Sequence, residues 1–152
     1  MPTTDPVDTI VDAVVSAINA ADLSEDVTAT APDFLDLTDT DTDLYVAVFP
    51  RSEVTEAWWT ADTDRSEIDV AILIRQRLDP YTQDRVAALK LYAREIRNLL
   101  RNAHPLTQID DYDVNLNAIA HNPLWSPELL RTEQLFLSII LITYQSEFET
   151  EV

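Results

Sequence analysis

One stretch near the carboxyl end, residues 133–148, reads EQLFLSIILITYQSEF and constrains the fold more than any other. β-Branched and aromatic residues crowd it, and neither glycine nor proline interrupts it. In an extended chain Leu135, Leu137, Ile139, Leu141 and Thr143 share one face. Phe136, Ser138, Ile140, Ile142 and Tyr144 share the other. Both faces are apolar through the middle, the pattern of a strand covered on two sides. Polar residues enter from about Thr143, so the far end is expected to meet water. A membrane span needs roughly 18 apolar residues, and this run falls well short. The β-branched centre argues against a buried helix. The stretch is read as a strand, and as the scaffold of a sheet.

The remainder supplies what such a strand packs against. Asp5-Pro6 is a cap followed by proline at the first helical position, and opens a helix to about Ala21 or Asp22. Its apolar stripe is Val7, Ile10, Val11, Val14, Ile18 and Ala21. Residues 27–35 read as a weak strand that Pro32 would confine to an edge. Residues 44–50, LYVAVFP, form a strand ended by proline, and 66–76, SEIDVAILIRQ, alternate cleanly with Ile68, Val70, Ile72 and Ile74 inward. Between them 51–65 reads as a long hairpin connection. Asp79-Pro80 repeats the cap device and starts a helix to about Asn102 with Val86, Leu89, Ala93, Ile96 and Leu100 buried. Residues 113–120 alternate as a strand, and one helical turn follows Ser126-Pro127. Consecutive strands imply hairpins. The expected fold is therefore α+β: a mostly antiparallel sheet of four to five strands with two main helices on one face. At 152 residues, 1–152 is expected to be one domain. With helices on one face only, a neighbouring subunit is expected to cover the other.

Composition removes several chemistries. The chain contains no glycine, which excludes phosphate-cradling loops of the Walker A and dinucleotide types, and a G-x-S-x-G elbow. No cysteine is present, so disulfides and thiolate sites are excluded. His104 and His121 lack the i, i+4 partner of a helical zinc site. Asp39, Asp41 and Asp43 have calcium-loop spacing, but Leu44 and Pro50 stand where that loop needs Gly and Glu. The acidic run 36–43, with Asp36, Asp39, Asp41 and Asp43, is read as a partner-facing loop. No cofactor, no metal and no enzymatic activity are expected. The start of the chain, MPTTDPVDTI, shows no secretory signal pattern.

Charge is unevenly placed. The formal net charge is -18, which opposes nucleic-acid and anionic-membrane binding. The first 64 residues hold 15 acidic groups and Arg51 as their single base. By contrast Lys90, Arg94, Arg97 and Arg101 recur at helical spacing on one flank of the second helix. Such a strip either pairs within the subunit, binds DNA against the field of the whole molecule, or meets the acidic side of an identical neighbour. Two different contacting surfaces of that kind close rings. Trp58 and Trp59 are either core anchors or interface hot spots.

In sequence of parts the chain resembles the tail terminator (tail completion) proteins of long-tailed bacteriophages and prophages. The shared landmarks are an amino-terminal helix, LYVAVFP at 44–50, a charged excursion, and IDVAILIRQRL at 68–78. After these come DRVAALKLYAREIRNLL at 84–100, the proline-containing HNPLWSPELL at 121–130, and LFLSIILITYQ at 135–145. The resemblance implies a virion protein, assembled in the host cytoplasm, that forms a ring, typically a hexamer. The ring would cap the tail tube and join it to a head-neck connector, with DNA passing through the channel without specific binding. Lys90, Arg94, Arg97, Arg101, Trp58 and Trp59 are then candidates for the subunit interface. A different class of reading, an acidic DNA mimic or other protein-binding module, needs a regular surface array of negative charge.

Overall fold

A computed structural model describes residues 6–32, 43–56, 63–78, 80, 82–102, 113–120 and 127–149. Helix α1 spans Pro6–Ala20, strand β1 Tyr45–Glu56 and strand β2 Thr63–Arg77. Helix α2 spans Gln83–Asn102, strand β3 Asp113–Ala120, helix α3 Pro127–Glu133 and strand β4 Leu135–Glu149. The four strands form one antiparallel sheet in the order β1-β2-β4-β3. The long apolar stretch is thus an inner strand, paired with β2 along its length and with β3 from Leu141 onward, where proline would remove ladder bonds.

The α+β class matches expectation, whereas the helix count and several boundaries do not. Residues 27–32 make only an isolated parallel bridge, Thr30 to Ala47, in place of a strand. Thr30 donates to Val46 O at 3.1 Å, and Val48 N donates to Thr30 O at 2.8 Å, so the segment caps the outer edge of β1. Nor does β1 stop at Pro50. It is an edge strand, where a missing N–H is tolerated, and the register slips between Pro50 and Ser52 to absorb the ring. The expected connection 51–65 is largely hairpin arm, with Glu56 opposite Arg65.

Asp79-Pro80 does not open α2. Leu78 is held extended by donating to Gln134 O at 2.7 Å, and Thr82 is the cap instead. Its Oγ1 accepts from Arg85 N at 3.2 Å, and its carbonyl takes the first helical bond, from Val86 N at 3.1 Å. A third helix, α3, replaces the single turn expected after Pro127. It ends at Gln134, whose φ of 55° is the left-handed cap that glycine would ordinarily supply. Gln134 N donates to Leu130 O at 3.1 Å there.

All three helices pack on one sheet face. Ile10, Val14 and Ile18 of α1, Leu89, Ala93, Ile96 and Leu100 of α2, and Leu130 of α3 share one core. Val46, Val48, Ile68, Val70, Ile72 and Ile74 join them from β1 and β2. Phe136, Ile140, Ile142 and Tyr144 do so from β4. Cross-strand pairs such as Ile72 with Ile140 and Val70 with Ile142 place these side chains in register on that face. Among the described residues no helix is long and apolar enough to cross a membrane.

Candidate assembly interface

The opposite sheet face carries Tyr45, Ala47 and Phe49 from β1 and Asp69, Ala71, Leu73 and Arg75 from β2. From β4 come Leu135, Leu137, Ile139, Leu141 and Thr143. Ala71 and Leu73, on the inner strand, are buried between their neighbours but belong to no part of the helix-backed core. Phe49, Leu137, Ile139 and Leu141 around them are only half-buried. The result is a contiguous apolar stripe that the chain covers in part, as the doubly apolar pattern of β4 predicts. Polar groups at its borders are tied down. Thr143 Oγ1 donates to Asp69 Oδ1 at 2.7 Å, and the Arg75 guanidinium lies 5.0 Å from the centre of the Tyr45 ring.

The basic flank is where helical spacing puts it. Arg94 and Arg101 are exposed, and Arg97 is half-buried with an unpaired, buried Nε. None of these three makes an ion pair or side-chain hydrogen bond among the described residues. Lys90, which has a partner, borders a hollow of about 450 Å³ shared with Pro127, Leu130 and Arg131. The basic flank therefore faces the α3 side of the helix layer.

Sequence reasoning missed the site on the other flank. After α1 the chain turns through 21–28 and meets α2. Asn19 staples the turn, donating from Nδ2 to Ala29 O at 3.1 Å and accepting at Oδ1 from Ala29 N at 2.8 Å. Arg85 reaches from α2 to Glu25 Oε1 at 2.5 Å, and its Nε and Nη2 donate to Gln76 Oε1 at 3.0 and 2.7 Å. Ser24 donates to Glu95 through both its backbone N–H and its hydroxyl. These ties enclose a hollow of about 310 Å³ bordered by Asp22, Glu25, Asp26 and Tyr92. The one signal that could have found it is Tyr92 itself, a polar group three residues from Leu89 and four from Ile96 on the buried stripe.

Tyr92 is 1% exposed, and burial first, then the carboxylates of Glu25 and Glu95, push its phenol up to about 12. Burial also raises the phenol of Tyr144, whose hydroxyl has no hydrogen-bond partner among the described residues. A raised folded-state value leaves stability intact below the ordinary tyrosine pKa of about 10. Stability is then lost as pH climbs toward the folded value, because the unfolded chain ionises first. Stability should accordingly fall between about pH 10 and 12, and urea midpoints with it. The double variant Tyr92→Phe, Tyr144→Phe should flatten that fall. An unchanged alkaline slope would count against it.

Asp43 is exposed at the entrance to β1, while Asp36, Asp39, Asp41, Trp58, Trp59, His104 and His121 lie outside the described residues. No protein-family profile and no curated protein matches the sequence. Comparison of folds does find similar structures. One is the sheath/tube terminator of PVC, an extracellular contractile injection system, in its extended state. It aligns over 100% of this chain with a TM-score of 0.52 and 14% identity. The chain spans 59% of that protein's length, and at such identity the likeness is one of fold.

Proposed function

We propose that this chain is a structural subunit of a tail-terminator ring, capping the tube of a phage-like or injection-type tail. The observation that carries the reading is the half-buried apolar stripe on the sheet face opposite the helices. A fold shared with a sheath/tube terminator supports it. Apolar surface of this kind marks a protein contact, and in a ring a neighbouring copy supplies the cover. The ring is a hexamer by the resemblance of its parts to phage tail terminators, with the tail tube and a head-neck connector as further partners. It acts by assembly and not by catalysis, and needs no cofactor. Its place is the virion tail, built in the host cytoplasm. DNA passes the acidic assembly without sticking, like charges repelling.

The net charge of -18 favours a second reading, an acidic module that occupies the basic site of a nucleic-acid protein. Such a mimic works as a monomer or dimer, whereas the ring requires higher order. Solution mass across a salt series, followed by negative-stain imaging, separates them. Rings of uniform number are expected. A monodisperse monomer at micromolar concentration and moderate salt would overturn the ring.

A further inference from the structure

The hollow beside Tyr92 is bordered by Asp22, Glu25 and Asp26, and no Lys or Arg is among its described lining residues. Helix α1 ends there without a basic residue in its last turn, so the dipole's negative end is unopposed. Asp22 and Asp26 are exposed on its rim and form no ion pair among the described residues. Glu25 borders the hollow and is engaged by Arg85, and Glu95 on α2 accepts from Ser24. Tyr92 lines the hollow, almost wholly buried, and its phenol has no hydrogen-bond partner among the described residues. A neutral phenol beside carboxylates has a free acceptor lone pair, which suits an incoming N–H group. Arg85 demonstrates that a guanidinium fits against Glu25 from the adjacent side.

On the far flank of the same helix stand Arg94, Arg97 and Arg101, three guanidiniums without an ion pair among the described residues. We infer that the acidic hollow of one copy receives the arginine ridge of the next, with Arg94 entering between Asp22 and Asp26 toward Tyr92. Ridge and hollow lie on opposite sides of α2, so each copy gives to one neighbour and takes from the other. That is a head-to-tail contact, which makes a ring when its rotation closes. The inference rests on the ring reading and adds the residues that give it direction.

Two chains test it, Arg94→Glu with Arg101→Glu, and Asp22→Arg with Asp26→Arg. All four positions are exposed, and matching thermal melts check that both chains fold. Each alone should lose assembly, with dissociation constants raised at least about 100-fold, since reversed charges face like charges across the contact. An equimolar mixture should recover mixed assemblies, because the acidic ridge of one variant meets the basic hollow of the other. Mass photometry in low salt reads all three samples. If wild type and both variants assemble equally, the contact is wrong while the ring stands. If the variants fail singly and the mixture also fails, the two surfaces do not meet. A wild-type chain that stays monomeric overturns the ring, and this contact with it.

Discussion

Lysine at both Ile139 and Leu141 is expected to leave the chain folded and abolish its self-association. Both side chains are half-buried on the sheet face away from the helices, so each substitution costs the monomer only about 1 kcal/mol of apolar burial. A lysine there can lay its stem along the sheet and keep its ammonium in water. Once another copy covers the face, two charges lose that water. The effective penalty is several kcal/mol per ion, and 4 kcal/mol already weakens binding by about 1,000-fold. Sedimentation velocity should show a monomer, while the melting temperature moves by a few degrees. Assembly as strong as wild type would mean that this face stays open in the oligomer.

One residue along the same strand the outcome inverts. Ile140→Ala should cost about 2–5 kcal/mol of folding stability, a large part of the roughly 5–15 kcal/mol a domain of this size has. Ile140 is 0% exposed, opposite Ile72 and within the core that all three helices share. The cavity left there cannot readily collapse, because pairing with the inner strand β2 holds the backbone and the helices pack over it. Urea unfolding reads the loss directly as a lower midpoint at constant slope. A loss under about 1 kcal/mol would mean that the helices do not seat over β4. Together the two experiments assign the faces of one strand by opposite phenotypes: association lost with fold kept, and fold weakened.

Much of the architecture was legible because it is periodic. The clean alternation of Ile68, Val70, Ile72 and Ile74 places one face of β2, and the stripe through Val86, Leu89, Ala93 and Ile96 places one face of α2. Spacing alone also put Arg94, Arg97 and Arg101 together on a flank. Boundaries failed where a tertiary bond outweighed a local signal. Pro50 reads as a stop, yet an edge strand with a bulge carries the chain past it. Asp79-Pro80 reads as a helix start, yet Leu78 bonds to Gln134 and the helix begins only after Thr82.

By itself, then, the amino-acid order determined that the stretch around Ile140 is a strand with grease on both sides. It also fixed that two amphipathic helices are available to cover it. It did not determine which side they would cover, because Ile139 and Ile140 are the same residue type. Only the packing decided that the Ile140 side meets the helices and the Ile139 side is left partly open. The acidic hollow was beyond reach for a related reason: Ser24 and Glu95 lie 71 residues apart, and nothing local in either segment specifies the other. Short-range periodicity is written into neighbouring residues, whereas a site assembled across the chain exists only once the core has brought its walls together.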